Sequence, residues 1–234
     1  MRIYLIRHAD PDYANNTITP AGHLEAQALA TRLAKQGLDR IFCSPMGRAQ
    51  DTARYTAKAL GLEPTTLEWT RELDWPRISE EGLGNICAFD LHGHSVHLDD
   101  HTYTCANWSD VPPLDDPAFR IGYDTLCREA DQFIAGLGYE RAGQTYRIAN
   151  PNRLKIGLFC HGGFGLTLLS RLLNIPMPLV WTGFFLPPSS VTTILFDERN
   201  DQVATPRCLG VGDISHLYAS ELPMSTIGIK ANKE

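Results

Sequence analysis

The sequence predicts an α/β fold of three layers, in which helices flank a mostly parallel central sheet that carries an inserted cap region. Short β-branched and aromatic runs at positions 3–6, 40–44 and 155–160 are typical of buried strands. Helix signals follow all three runs, as the strand–helix units of an α/β fold require. Between the second and third runs, residues 76–154 contain few strand signals. We expect them to form the cap within a single domain, 1–234.

Composition narrows the class of protein. The chain has 234 residues, 43% hydrophobic and 21% charged, which suits one large α/β domain and argues against disorder. Its net charge of -6 argues against a general nucleic-acid binder. No apolar stretch approaches the roughly 20 residues that span a bilayer. We therefore expect no membrane partner from the apolar stretches and no nucleic-acid partner from the charge.

The six cysteines predict a reducing environment. They are scattered without a Cys-x-x-Cys pair, and Cys43 and Cys160 lie inside strand-like runs. Cysteines in this pattern favour buried free thiols. No signal peptide is expected, because strand-like sequence begins at Arg2. We therefore expect a cytoplasmic protein.

The first strand ends in a cation and an imidazole. Arg7 and His8 follow the apolar run 3–6 directly, and Pro11 prevents simple continuation of the strand. Ligands of open α/β sheets bind at the carboxyl ends of the strands. The pair is thus a candidate site, with a solvated strand end as the alternative.

Two helices with recognisable ends follow. Thr19 is placed to cap the first and Gly37 to stop it, while the second is expected to open at Ser44-Pro45 and end at Gly61. Arg48 falls in the first turn of the second helix, where free N–H groups and the positive end of the dipole favour anions. An arginine there fits an anion site, and a surface arginine is the alternative.

The stretch 71–75 contains a candidate general acid. Glu72 lies beside apolar and aromatic residues, whose desolvation would raise the pKa of its carboxyl, as a general acid requires. The alternative is a solvated carboxylate paired with Arg71.

The third strand repeats the pattern of the first. It ends in His161, and two glycines beginning with Gly162 lead into another helix. Glycines allow a backbone to approach a ligand closely. Further on, 190–196 and 202–211 are expected to pair as antiparallel strands, and the tail from Ser220 is expected to be a loose terminus.

Parallel strands would bring these groups to one small volume. Two imidazoles, His8 and His161, and two guanidiniums, Arg7 and Arg48, would surround it. Such a volume suits a phosphoryl group, because arginines bind its oxygens bidentately and a neutral histidine can attack phosphorus. Fixed cations would stabilise the charge on those oxygens during transfer without a metal. Glu72 would then supply a proton to the leaving alcohol.

Five blocks of sequence carry a resemblance to a known family. They are Leu5-Ile6-Arg7-His8-Ala9, Ile18-Thr19-Pro20-Ala21-Gly22, the run from Cys43 to Ala53, Arg71-Glu72-Leu73 and His161-Gly162-Gly163. In this order and spacing the chain resembles the histidine phosphatase superfamily, which includes the cofactor-dependent phosphoglycerate mutases. The resemblance covers about the first 75 residues and roughly 155–218. Residues 76–154, where substrate choice is expected to lie, stay unmatched.

The resemblance implies a phosphohistidine intermediate, with neither metal nor cofactor. His8 matches the nucleophile of the family and Glu72 its usual proton donor. The residues expected to bind the substrate are Arg7, Arg48, His161, Asn15, Thr19 and Gly162. Asn15 is an ambiguous match, since Asn16 fits a phosphate-contacting loop asparagine equally well. Ala9 stands where a glycine is usual, and we expect only a slight adjustment of the loop.

The expected activity is hydrolysis of a small organic phosphomonoester, and three alternatives remain. A phosphoglycerate mutase is the alternative within the family, and the rapid divergence of sequence after Glu72 favours the phosphatase. A metal-dependent hydrolase would use the histidines at 92–101, of which His94, His97 and His101 are predicted to share one helix face. A phosphate-binding module without chemistry is disfavoured, because all the expected catalytic side chains are present.

The sequence predicts neither the substrate nor the oligomeric state. Several cap residues, among them Trp108, Phe119 and Tyr123, would suit many polar organic phosphates. Sugar phosphates, nucleotides and cofactor precursors are all compatible with such a cap.

Overall fold

The computed structural model describes residues 1–97 and 101–232. The strands are β1 (Arg2–Arg7), β2 (Pro11–Asp12), β3 (Thr17–Ile18), β4 (Arg40–Cys43), β5 (Thr65–Thr66), β6 (Arg77–Glu80), β7 (Gly84–Cys87), β8 (Tyr139–Ala142), β9 (Thr145–Ile148), β10 (Lys155–Cys160), β11 (Val191–Asp197) and β12 (Val203–Asp213). The α-helices are α1 (Pro20–Gln36), α2 (Gly47–Leu60), α3 (Gly93–His97), α4 (Pro117–Gly136), α5 (Gly162–Leu173), α6 (Met177–Gly183) and α7 (Ser215–Ala219). Short 3-10 helices cover Glu68–Thr70 and Ala88–Asp90.

The central sheet, as far as these residues describe it, contains eight strands in the order β5-β4-β10-β1-β11-β12-β9-β8. Neighbours from β5 to β1 pair in parallel, and neighbours from β1 to β8 pair antiparallel. Consequently β11 and β9 run in one direction and the other strands of the sheet in the opposite one. The predicted α/β fold, with helices flanking a mostly parallel sheet, is confirmed.

The alternation of β1 explains the three layers, since successive side chains of a strand point to opposite faces. Ile3 and Leu5 belong to the apolar core shared with α4 and α5. Tyr4 and Ile6 belong to a second core, which contains Leu29 of α1 and Ala53 of α2. The sheet is therefore buried on both faces, which is the reason that β1 is a continuous apolar run.

The caps predicted for the first helix are confirmed, whereas the start of the second lies later than predicted. Thr19 Oγ1 accepts from the N–H of Gly22 at 3.0 Å, and Gly37 is the C-cap. The second helix begins at Gly47 instead of at Ser44-Pro45. Ser44 does not cap it, because its hydroxyl bonds to His161 and accepts from the N–H of Met46.

Only part of the region 76–154 forms a cap outside the central sheet. It begins with the antiparallel hairpin of β6 and β7, and α4 packs under the sheet with Phe119 and Ile134 fully buried. Residues 139–148, however, extend the central sheet, because β9 pairs with β12. The expectation that the whole stretch forms a cap is corrected at these two strands, and its role in substrate choice stays a prediction.

The chain end is docked, which corrects the expectation of a loose terminus from Ser220. Ser225 Oγ donates to Asp10 Oδ1, and Lys230 Nζ lies 2.9 Å from Asp90 Oδ2. Gly228 approaches the guanidinium of Arg7. The tail thus crosses the carboxyl edge of the sheet instead of leaving it.

The structure bears on the expectations about the cysteines and about membrane-spanning segments. All six cysteines lie in the described ranges and are free thiols, and Cys43 and Cys160 are buried as predicted. Within residues 1–97 and 101–232, none of the helices has the length and apolar character needed to cross a membrane.

Candidate active site

The parallel pairing of β1 with β10 brings the two histidines together. Arg7 lies opposite Cys160 in the register, so His8 and His161 leave the sheet side by side. Their ring centroids are 5.2 Å apart. His8 is 1% exposed and His161 fully buried. The structure therefore forms the histidine pair expected from the two strand ends.

One hydrogen bond fixes the tautomer of His8. Its Nδ1 lies 2.8 Å from the carbonyl oxygen of Ala9, which can only accept, so Nδ1 carries the proton. Nε2 then holds the lone pair. Burial, and next the charge of Arg7, place the pKa of His8 well below its usual value. At neutral pH the ring is a neutral imidazole whose Nε2 can act as a nucleophile.

His161 has the complementary arrangement. Its Nε2 lies 2.7 Å from Ser44 Oγ, and that oxygen already accepts from the N–H of Met46. The Ser44 hydroxyl can donate to Nε2, and in that tautomer the proton of His161 is on Nδ1. Burial, and then the neighbouring His8 and Arg48, lower the pKa of His161 strongly, so this ring is also neutral and presents an N–H donor.

Three buried donors at the site have no hydrogen-bond partner within the described part of the chain. They are Arg7 Nε, Arg48 Nε and His161 Nδ1. Arg7 is 7% exposed and Arg48 is 6% exposed. Buried polar groups are normally paired, and unpaired ones cost on the order of 1–3 kcal/mol each. Two cationic groups and an imidazole N–H in this state form a site ready for an anion with several oxygens.

Arg48 is held by the loop that precedes α1. Its Nη1 donates to Asn16 Oδ1 at 3.4 Å, and its guanidinium lies 5.4 Å from the centre of the Tyr13 ring. Gly47 permits this approach, because a Cβ there would lie 2.2 Å from the carbonyl oxygen of Asn16. Asn16, not Asn15, therefore lies beside Arg48.

Two of the expected substrate-binding residues have other roles. Asn15 is exposed, and its Nδ2 donates to Asp12 Oδ2 at 2.7 Å. Thr19 caps α1 and donates to Asp10 Oδ2 at 2.7 Å. Neither lines the cavity described below, whereas Gly162 does, directly against Arg7.

Glu72 is placed by the first turn of α5. Its carboxyl accepts from the N–H groups of Leu73, Gly163 and Phe164, at 3.1, 3.2 and 2.7 Å. Burial raises the pKa of Glu72, and these hydrogen bonds only partly offset it. The carboxyl thus lies against the start of α5, at the second and third residues after His161, and retains a proton more readily than a solvated glutamate.

A cavity of about 810 Å³ opens above these groups. Its inner wall contains Arg7, Arg48 and Glu72, and its outer wall contains Phe89, Trp181 and Lys230, among others. The lining thus combines cations with aromatic rings, which suits an organic molecule carrying a phosphoryl group.

Sequence reasoning missed most of the outer wall. Trp108, Phe119 and Tyr123, the cap aromatics expected near the substrate, are at most 6% exposed and pack in the core. The wall is instead formed by Phe89, Trp181 and the tail. The local sequence does not show whether a Phe or Trp in an apolar run lines the cavity or packs in the core, because tertiary packing determines its position.

His94 and His97 share a face of α3, but His101 does not join them, contrary to the prediction. α3 ends at His97, and His101 is not helical. His92 Nδ1 lies 3.6 Å from Glu80 Oε1. Within the two described ranges, no group of three His, Cys, Asp or Glu side chains is arranged to hold a metal ion. Asp99 and Asp100, which lie between His97 and His101 in the sequence, are outside the described residues.

The chain is similar to proteins of one superfamily. Residues 3–86 match the family model described as histidine phosphatase superfamily (branch 1). The adenosylcobalamin/alpha-ribazole phosphatase of Salmonella typhimurium is 24% identical over 194 residues, which are 77% of this chain and 84% of that protein. "Probable phosphoglycerate mutase GpmB" of Serratia proteamaculans is 29% identical over 95 residues, 37% of this chain and 44% of that protein.

The fold of this chain is also similar to that of a solved phosphatase. A crystal structure of phosphoserine phosphatase from Entamoeba histolytica, in complex with 3-phosphoglyceric acid, superposes with a TM-score of 0.60 at 19% identity, over 92% of this chain and 98% of that chain. The residues matched by the family model include Arg7, His8, Arg48 and Glu72. Sequence match and fold agree: residues 3–86 of this chain are similar to the histidine phosphatase superfamily, and the chain shares the fold of a solved phosphatase over 92% of its length.

Proposed function

We propose that this protein is a metal-independent phosphatase that hydrolyses a small organic phosphomonoester through a phosphohistidine intermediate on His8. The observation that carries the proposal is the set of unpaired buried donors around a neutral histidine. Arg7 Nε, Arg48 Nε and His161 Nδ1 supply the donors, and His8 presents an unprotonated Nε2 beside them. Similarity to phosphatases supports the reaction class.

In the first step, His8 Nε2 attacks phosphorus while the bond from phosphorus to the leaving oxygen breaks. Arg7, Arg48 and His161 Nδ1 bind the phosphoryl oxygens, so the charge that builds there meets donors already in place. Glu72 gives its proton to the leaving oxygen, which departs as the alcohol. The imidazole becomes cationic, and its Nδ1–H remains bonded to the Ala9 carbonyl.

In the second step, water attacks the phosphohistidine. Glu72, now a carboxylate, takes a proton from the water as its oxygen bonds to phosphorus, and the bond from phosphorus to Nε2 breaks. Phosphate leaves, His8 is again neutral and Glu72 is again protonated. The two steps use one carboxyl group as acid and then as base.

A phosphoglycerate mutase is the second candidate, favoured by the similarity to a protein of that name. A mutase must retain a bisphosphorylated intermediate and exclude water from it. The two activities are distinguished by incubating the phosphorylated enzyme with monophosphoglycerate. Release of inorganic phosphate supports the phosphatase, and phosphoryl transfer to the acceptor supports the mutase.

The cytoplasm is the proposed location and a phosphorylated small molecule the proposed partner. The six free thiols support the first, and the arginines that line the cavity support the second. A screen of phosphorylated metabolites for phosphate release, with His8→Ala as the blank, tests the proposal. Release by the wild-type protein that the variant lacks is the expected result. Equal release by both would contradict it.

A further inference from the structure

Glu25 is a buried carboxyl that the proposed reaction leaves unused. It lies on α1 and is 3% exposed. Its Oε2 accepts from the backbone N–H of Asp10 at 3.0 Å. The carbonyl of that same peptide unit belongs to Ala9 and accepts from His8 Nδ1 at 2.8 Å. The carboxyl and the nucleophile are therefore bonded to opposite ends of one peptide group.

We propose that Glu25 is a positioning residue for the nucleophile, and that its carboxylate acts on His8 through the Ala9–Asp10 peptide. This inference rests on the proposed phosphohistidine reaction. A charged acceptor polarises the peptide group, so that its carbonyl becomes a stronger acceptor for Nδ1–H. The stronger bond keeps the lone pair on Nε2 and stabilises the positive charge that the ring gains when Nε2 bonds to phosphorus.

Glu25 also secures the segment on the other side of His8. The hydroxyl of Ser189 is hydrogen-bonded to its carboxyl, and the N–H of Ser189 donates to the carbonyl of His8 at 3.0 Å. Ser189 has φ +58°, a region that favours glycine, and such strain persists where the surroundings fix it. The ring of His8, bonded to the Ala9–Asp10 peptide, and the backbone carbonyl of His8, bonded to Ser189, are thus held by groups that meet at the Glu25 carboxyl.

The charges around Glu25 determine when the carboxylate is present. They are Asp10 after β1, Arg7 at the end of β1 and, beyond Ser189, His216 of α7, whose Nε2 lies 3.2 Å from Ser189 Oγ. Burial raises the pKa of Glu25 to about 7, with repulsion from Asp10 adding and Arg7 opposing. Burial also lowers the pKa of His216 to about 4, so His216 stays neutral while Glu25 titrates. The charge on Glu25 therefore develops across neutral pH.

Steady-state kinetics test the inference with Glu25→Gln, which keeps the size and an acceptor oxygen but removes the charge. We expect kcat for p-nitrophenyl phosphate at about pH 8 to fall about tenfold with KM unchanged. We also expect the rise of kcat through neutral pH to be lost. Glu63→Gln, an exposed change outside this network, serves as the matched control. A kcat profile of Glu25→Gln that equals the wild-type profile would overturn the inference.

A second measurement, an NMR titration, uses the wild-type protein alone and needs no substrate. In the resting wild-type protein, we expect the ¹⁵N shift of His8 Nδ1 to titrate with the same midpoint as the carboxyl ¹³C signal of Glu25. A flat His8 signal over that range would overturn the coupling, whatever the hydrolysis assays give. A titrating His8 in a protein that hydrolyses no phosphomonoester would support the coupling and refute the proposed function instead.

Discussion

Glu72 Oε1 accepts a hydrogen bond from the backbone N–H of Phe164 at 2.7 Å, across 92 positions of sequence. The bond joins the loop after Glu68–Thr70 to the first turn of α5, directly beside His161. It places the carboxyl on the wall of the cavity and in an environment that raises its pKa. The position of the proposed proton donor thus depends on the same helix start that follows the second histidine.

Glu72→Gln should slow the first step most where the leaving group is a poor one. An alkyl phosphate needs a proton on its leaving oxygen, so kcat/KM should fall about 100-fold or more, since general acids typically contribute 10²–10⁴-fold. p-Nitrophenol leaves without help, and its ester should lose less than about tenfold. In the wild-type protein, kcat/KM for the alkyl phosphate should fall as pH rises through the raised pKa of Glu72.

The control for this comparison is Glu68→Gln, which removes an exposed carboxylate that pairs with Arg71 and lies in the 3-10 helix just before the loop of Glu72. Its kinetics should match the wild type. Equal losses of kcat/KM for alkyl and aryl esters in Glu72→Gln would show that Glu72 does not protonate the leaving group.

Gly122→Ala should destabilise the protein, although alanine is the better helix former. A Cβ at Gly122 of α4 would lie 2.6 Å from Trp75 Nε1 and 2.7 Å from Trp75 Cε2. Trp75 is itself packed against Phe119 and Trp181 and cannot simply swing away. We expect a loss of about 1–3 kcal/mol in the free energy of unfolding, as overpacking gives.

Gly136→Ala, at the other end of α4, is the matched change, because nothing lies within 4 Å of its added Cβ. It should be neutral or should stabilise by up to about 1 kcal/mol, the helix-propensity difference. Urea denaturation of both variants measures the two values. Similar stabilisation by both changes would mean that Trp75 does not pack against α4 as described.

Glu25→Gln should remove a dependence of stability on pH. Glu25 has a usual pKa of 4.5 and a folded pKa of about 7, so between these values the folded chain binds the proton that the unfolded chain releases. Its contribution is therefore full below about pH 4.5 and falls as pH rises to about 7, by roughly 3 kcal/mol.

Urea denaturation at about pH 4.5 and pH 8 measures this contribution. Relative to the wild type, the variant should gain roughly 3 kcal/mol of unfolding free energy between the two values. Glu63→Gln should show no such gain. If the free energies of unfolding of Glu25→Gln and the wild type differed by the same amount at both pH values, Glu25 would have the same pKa in the folded and unfolded chains.

Lys230→Ala should weaken substrate binding without lowering stability. Its ion pair with Asp90 is partly exposed and is worth about 1 kcal/mol, so the melting temperature should hardly change. Lys230 is nevertheless a cation in the cavity wall. KM for an anionic substrate should rise about two- to tenfold at low salt, and the effect should shrink at high salt. Lys35→Ala removes a similar exposed charge far from the cavity and should leave KM unchanged.

The parts of this fold that the sequence predicts are those with local causes. Strands β1, β4 and β10 are short apolar runs, and the caps at Thr19, Gly37 and Gly61 use residue types that favour those positions. The histidine pair was also predictable, because parallel strands align their carboxyl ends. A site built from strand ends and helix starts is therefore visible in the residues themselves.

The parts that the sequence did not reveal depend on tertiary contacts. The strands 139–142 and 145–148 are half polar, and only Gly143, with φ +61° in the turn between them, signals a hairpin. No local sequence signal indicates that the tail folds back, because Lys230 pairs with Asp90, a residue 140 positions earlier in the chain. The choice between Asn15 and Asn16 likewise depends on where Arg48 lies.

In the proposed reaction, His8 carries the phosphoryl group without a metal. The most direct test is brief mixing of the protein with ³²P-labelled phosphomonoester in EDTA, followed by an alkaline quench and peptide mapping. We predict a label that is stable to alkali and lost in acid, located on His8, together with p-nitrophenyl phosphate hydrolysis that survives EDTA and is absent in His8→Ala. Hydrolysis that needs a metal and continues in His8→Ala, with no label on His8, would contradict the account.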